Sequence, residues 1–175
     1  GNLYIAGDQV IAVFASDGRA LRRIELASAP TAVAVSEDGS IYVGLTDRIE
    51  VYSAEGQKRS AWAPARTAML TAIAVGRDDV FAADALHKVV RHYDKEGNPL
   101  SLIGAKDEAR NIPGIVVPSP YFDLLIAPDG LLRVVNPGRH RIEAYTFDGH
   151  LEWAWGKPSV GLEGFSGCCN PIALA

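Results

Sequence analysis

An all-β fold of repeated antiparallel units is predicted by three observations. First, an aromatic residue, two further residues, an acid and a glycine recur four times, starting at Phe14, Tyr52, Tyr93 and Tyr145 and ending at Gly18, Gly56, Gly97 and Gly149. The aromatics are spaced by 38, 41 and 52 residues. Second, Thr31-Ala32-Val33-Ala34-Val35 returns as Thr71-Ala72-Ile73-Ala74-Val75. Third, turn signals fall roughly every 8–12 residues, and no segment carries a helical apolar period with caps. Self-similarity with a period of about forty residues marks stacked supersecondary units.

Each unit reads as four short strands. The first is apolar and made largely of small residues, at 31–35, 71–75 and 122–127. A polar turn follows: Glu37-Asp38-Gly39, Arg77-Asp78-Asp79 or Pro128-Asp129-Gly130. Asp-Gly between apolar runs is a strong hairpin signal, because glycine supplies the positive φ such a turn needs. The second strand is at 3–5, 41–43, 80–82 and 131–135. The third alternates, as in Arg48-Ile49-Glu50-Val51-Tyr52 and Arg141-Ile142-Glu143-Ala144-Tyr145. Apolar residues take one face and charged ones the other, the signature of a half-buried strand. The acid-glycine turn then leads into a fourth strand at 19–26, 57–62, 99–103 and 150–155.

Four-stranded units of about forty residues predict a β-propeller, whose blades pack face to face around a channel. A β-sandwich is the alternative, but sandwich strands need not repeat in sequence, and these do. The chain reads as one domain with blades at about 1–26 (lacking its first strand), 27–62, 63–104 and 105–156. Residues 157–175 start a further blade or supply a closing strand.

Composition narrows the function. With 48% hydrophobic and 22% charged residues among 175, the chain is globular material. A net charge of −4, with Lys and Arg scattered among acids, argues against nucleic acid, which requires a basic stripe. No apolar run approaches the ~18 residues of a membrane-crossing helix. The sequence contains no nucleophile elbow, P-loop or dinucleotide fingerprint.

The stretch Ala-Pro-Thr-Ala-Val-Ala-Val-x3-Gly-x-Ile-Tyr-Val at 29–43, followed by Arg-Ile-Glu-Val-Tyr-x-x-Glu-Gly at 48–56, resembles the NHL repeat. Gly138-Arg139-His140-Arg141-Ile142-Glu143-Ala144-Tyr145 with Asp148-Gly149 is an even closer match. Blade three departs from the pattern: Asp78-Asp79 replaces Asp-Gly, and Arg91-His92 enters the third strand. The resemblance covers nearly the whole chain. It implies a bacterial-type propeller, commonly six-bladed and extracytoplasmic (periplasmic or secreted), that binds proteins or small ligands. In some relatives it implies lyase or lactone-hydrolase chemistry.

Two arrangements of the blades follow. The chain opens on a second strand and ends on Asn170-Pro171-Ile172-Ala173-Leu174-Ala175, which matches the first-strand type. Residues 172–175 could pair beside 3–5 and close a four-bladed ring. Alternatively, the four blades are part of a larger propeller, the reading that the six-bladed habit and the end in an apolar strand favour. An open piece exposes two apolar blade faces, which self-association or further blades would cover.

Function is expected where the repeat is broken. The insertion at 105–120 lengthens blade four and carries Lys106, Arg110 and Asn111; such insertions often map to a binding face, although a passive surface loop fits as well. Asn136, Arg139 and His140 lie in the loop before the third strand of the same blade and complete the set of candidate binding residues. Asp8, Asp47, Asp84 and Asn136 recur near equivalent turns; recurrence in every blade favours Asx turns over a site. His87 and His140 fall in the loop before the third strand, beside Lys88 and Arg141. Trp62, Trp153 and Trp155 end outer strands, and the last two point the same way.

Cys168-Cys169 sits in a Gly-Pro-bounded loop. As a pair it is either part of a metal or redox site completed elsewhere, a buried turn, or a thiol that bridges to another segment; the spacing falls short of a zinc motif. No resident cofactor is called for. The preferred reading is a rigid binding scaffold for a protein or small ligand. The alternative is a metal-dependent propeller lyase or lactone hydrolase, with a divalent metal held in the channel.

Overall fold

The computed structural model describes residues 1–63, 67–166 and 171–174. Blade one has three strands, β1 (Leu3–Gly7), β2 (Val10–Phe14) and β3 (Ala20–Glu25). Blade two is β4 (Ala32–Val35), β5 (Ile41–Gly44), β6 (Ile49–Tyr52) and β7 (Lys58–Trp62). Blade three is β8 (Leu70–Val75), β9 (Asp79–Asp84), β10 (Val89–Asp94) and β11 (Pro99–Ile103). Blade four is β12 (Leu124–Ile126), β13 (Leu132–Asn136), β14 (Arg141–Tyr145) and β15 (Leu151–Trp155), with a 3₁₀ turn at Pro137–Arg139. Every blade is an antiparallel meander in sequence order.

The core lies between blades. Because successive side chains of a strand point to opposite faces, Ile41 and Val43 pack toward Ile11 and Ile24 of blade one, while Tyr42 packs toward Leu70 and Tyr93 of blade three. Likewise Val80 and Ala82 meet blade two, and Phe81 and Ala83 meet Phe122, Leu132 and Tyr145 of blade four. Sheets covered on both faces bury all of β5 and all of β9 but Asp79.

The half-buried third strand expected from alternation is therefore overturned. Glu50 and Glu143 are 1% and 0% exposed, because the preceding blade covers the charged face as well. Both carboxylates are satisfied locally. Glu50 accepts from Arg48 Nε (2.9 Å), Lys58 Nζ (2.6 Å) and Tyr52 Oη (2.6 Å). Glu143 accepts from Arg141 Nε (2.7 Å), Tyr145 Oη (2.6 Å) and Asn136 Nδ2 (3.0 Å). Burial raises the Glu50 pKa, but the hydrogen bonds from Lys58, Tyr52 and Arg48 outweigh it and bring it down from 4.5 to about 2.

The repeated glycine has a packing role. Gly97, at φ +90°, presses its bare Cα against the Trp62 ring of the preceding blade. Gly56 sits likewise on Ile24, and Gly149 lies near Ile103. Trp62, Ile24 and Ile103 hold the same register position in their outer strands, opposite Ile49, Ile11 and Val90.

The sheets are not closed into a ring, so the four-bladed ring is not the arrangement found. Among the described residues, 171–174 do not pair with β1. The Leu174 N–H instead donates to Asp123 Oδ2 (2.8 Å), and its side chain packs on the core between blades three and four.

Candidate functional site

Loops between second and third strands gather with the segments that lead into the first strands. In blade three this loop is the turn at 85–88 after β9. It is built around Asp84, which is 0% exposed. Asp84 Oδ1 accepts the backbone N–H groups of Leu86 (3.1 Å) and His87 (3.2 Å), an Asx turn, and that of Met69 (3.2 Å) from the neighbouring connection. Its Oδ2 accepts Arg91 Nε (2.8 Å) and lies 2.8 Å from His87 Nδ1. Burial opposes ionisation of Asp84, but the Met69 amide, His87 and Arg91 more than offset it and lower the pKa.

A carboxylate only accepts, so His87 Nδ1 donates to Asp84, Arg91 Nη2 stands 3.3 Å from the same nitrogen, and Nε2 is the other ring nitrogen of a 41% exposed side chain. The arrangement is an acid-oriented imidazole. Its Arg91 also reverses the charge found at the same place in blades two and four. Arg91 takes the register place of Glu50 and Glu143, and Asp84 that of Asn136.

Beside His87 lies a shallow groove of about 280 Å³ lined by Met69, Ala85, Leu86, Val117, Pro118 and Pro120. Leu86 is 51% exposed and Tyr121, next along the chain, 58%. The insertion forms one wall. Its backbone folds on itself through mutual hydrogen bonds between Asp107 and Ile112, and it buries Ile112 and Ile115.

The six candidate binding residues are placed as follows. Asn136 is fully buried; its Oδ1 accepts the Val116 N–H (3.0 Å) and its Nδ2 donates to Gly114 O (3.3 Å) and Glu143. Arg139 donates to the carbonyls of Gly114 (3.1 Å) and Pro113 (3.0 Å). His140 is left-handed (φ 53°) and ends the 3₁₀ turn. Asn136 and Arg139 therefore meet the second half of the insertion. Arg110 reaches away to Asp148 O (3.2 Å), Asn111 takes the left-handed corner (φ 55°), and Lys106 pairs with Glu108 at 2.8 Å in solvent. Lys106, Arg110 and Asn111 line no part of the groove.

The pairing of Asp84 with His87 and the apolar groove were not read from the sequence. Each residue was visible singly, but only the fold puts Met69, Leu86 and Val117 side by side. Trp153 and Trp155 are 41% and 47% exposed and do not merge into one open patch: Arg133 covers the Trp153 ring (4.5 Å) and Phe165 meets Trp155 edge-on (5.6 Å). Cys168 and Cys169 lie outside the described residues. Among the described residues no group of three or more His, Cys, Asp or Glu side chains could hold a metal, and no helix is long and apolar enough to cross a membrane.

The fold defines the class: the chain is a β-propeller. Virginiamycin B lyase from Staphylococcus aureus is similar over 93% of this chain and 54% of its own, with a TM-score of 0.71 and 15% identity. A hydrazine synthase chain of Kuenenia stuttgartiensis is similar over 87% and 45%, with a TM-score of 0.67 and 15% identity. A chain of a mitotic checkpoint complex is similar over 88% and 46%, with a TM-score of 0.69 and 13% identity. The chain thus spans about half the length of these neighbours, and the likeness is one of fold. No protein-family model matches the chain, and no curated protein sequence does.

Proposed function

We propose that the chain is an NHL-like recognition module that binds a protein ligand through the end of the blades bearing His87. The observation that carries this reading is the apolar groove between blades three and four, where Leu86 stands half exposed beside Met69 and a proline-walled connection. Large apolar side chains left exposed together on a surface mark an interaction site. The groove is small and shallow, so it suits one apolar side chain of an extended segment. His87, held by Asp84, supplies a directional polar contact at the rim. The neighbour from the checkpoint complex supports a propeller in protein assembly only in general terms.

The test is selection from a displayed library of random linear peptides against the purified chain. Enrichment of peptides sharing one apolar anchor, lost on Leu86→Asp with the melting temperature unchanged, supports the reading. Enrichment insensitive to Leu86→Asp, or none, overturns it.

One observation favours a second reading. A buried acid orienting an imidazole is the geometry of a general base. The virginiamycin B lyase neighbours are enzymes, one of them an inactive H270A form with quinupristin. An enzyme of this kind would add a divalent metal. Incubation with quinupristin separates the readings: an unchanged compound fits the recognition module, and conversion lost in His87→Ala would make the chain a lyase.

A further inference from the structure

Blade three carries a second acid–histidine pair at the other end of β9, on the face that meets blade four. His92 of β10 stands directly opposite Ser101 of β11 and opposite Phe81 of β9. Its Nε2 is 2.6 Å from Asp79 Oδ1, and its Nδ1 is 3.2 Å from Ser101 Oγ. The imidazole is stacked on Phe81 (4.5 Å between centroids, 20° between planes) and meets the edge of Phe147 from blade four (6.4 Å, 63°). His92 is 7% exposed, whereas Asp79 and Ser101 are partly open to solvent.

For a neutral imidazole the hydrogen-bond chemistry allows one assignment. The Asp79 carboxylate can only accept, so Nε2 of neutral His92 bears the proton. Nδ1 is then an acceptor, and the hydroxyl that faces it, Ser101, donates. Acid, imidazole and serine therefore form a polarised chain that ends in a hydroxyl on the outermost strand of the blade. Ring stacking and the cross-strand register fix the imidazole, so its geometry is held by the sheet rather than by a loop.

The trio is peculiar to blade three. In blade two the same register places hold Ser40, Val51 and Ser60; in blade four they hold Leu131, Ala144 and Trp153. Scaffold groups recur from blade to blade, as the Glu50 and Glu143 clusters do. A group that breaks the repeat in three strands at once is not demanded by the scaffold.

We propose that Asp79, His92 and Ser101 form an acyl-transfer relay in which Ser101 is the nucleophile toward short-chain carboxylic esters. His92 Nδ1 takes the Ser101 proton as Oγ bonds to the ester carbonyl carbon. The tetrahedral adduct collapses with loss of the alkoxide, which leaves as the alcohol with the proton from Nδ1. Water, deprotonated by the same nitrogen, then cleaves the Ser101 ester, and acid and free serine result. Asp79 stays ionised and holds the tautomer. An edge strand presents unpaired backbone N–H groups, and those of β11 are the donors at hand for the oxyanion. None of the four main grooves among the described residues is lined by Ser101, which limits the acyl group to a short one.

The experiment treats the whole chain with a fluorophosphonate, whose phosphorus bonds to serine Oγ as fluoride leaves, and locates the adduct by peptide mass spectrometry. Ser60, at the matching place in blade two without a histidine, is the internal control. We expect Ser101 to be modified about a hundredfold faster than Ser60, the scale of general-base assistance. His92→Gln and Asp79→Asn should lower the Ser101 rate toward that of Ser60 and lower hydrolysis of p-nitrophenyl acetate with it, and Ser101→Ala should abolish that hydrolysis. Equal modification of Ser101 and Ser60 in the wild-type chain overturns the proposal whether or not any variant folds. Fast modification of Ser101 that persists in a folded His92→Gln chain overturns the relay.

Discussion

The Cα of Gly97 rests on the indole of Trp62, so closely that a methyl group there would lie 2.5 Å from the ring. Trp62 is itself held between Tyr42 and Tyr93, with ring centroids 5.8 and 6.0 Å away. The glycine of the repeated turn is thus a joint between consecutive blades as well as a hairpin corner. Gly130 has a similar φ of +79°, but nothing lies within 4 Å of an added methyl. Alanine at Gly130 should therefore cost only the left-handed strain, about 1–2 kcal/mol. Gly97→Ala adds overpacking and should cost about 1–3 kcal/mol more in urea unfolding. Equal costs would show that the joint does not matter.

Glu50 predicts acid sensitivity of a defined sign. Its folded pKa is depressed from 4.5 to about 2. The carboxylate therefore adds stability that is fully present above about pH 4.5 and is lost as pH falls toward about 2. Glu50→Gln should be less stable than wild type at neutral pH, and the difference should shrink steadily across that window. A gap that stays constant from neutral pH to pH 2 would contradict the assignment.

The charge reversal in blade three makes a counterintuitive prediction. Arg91→Glu restores the residue found at this place in blades two and four, yet here it sets two carboxylates together, because Asp84 replaces Asn136. The substitution should cost more than Arg91→Met. Asp84→Ala, which strands Arg91 and three backbone N–H groups, should cost about 3–5 kcal/mol. Denaturant midpoints of the three variants check the order.

Much of this fold was legible in the sequence because strand, turn and repeat signals are local. The alternation of Arg48 to Tyr52 located the third strand correctly, but it misjudged the exposure of Glu50. Alternation reports which residues share a face; whether water or a blade covers that face is a long-range fact. The same limit applies to the site. Asp84 and His87 were visible as residues three apart, and the irregular third blade was visible as irregular. That Asp79, His92 and Ser101 stand in one row depends on the register of three strands, with a bulge between His92 and Tyr93. Nor could spacing show that the insertion spends Asn136 and Arg139 on holding its own backbone.

The proposed recognition face predicts a clean separation between stability and binding. Leu86 is half exposed on a turn, so Leu86→Asp should change unfolding free energy by no more than about 0.5 kcal/mol. His87→Ala should do little more, since Asp84 keeps Arg91 and its backbone donors. Both should weaken a library-selected peptide, Leu86→Asp the more strongly.

The most direct measurement is an amide NMR titration of the chain with such a peptide. Shifts are predicted to concentrate at Met69, at Ala85 to Lys88 and around Val117 and Tyr121, and to vanish in Leu86→Asp. Shifts confined to the opposite turns, at Gly39, Gly97 and Gly149, would contradict a binding face at the groove between blades three and four.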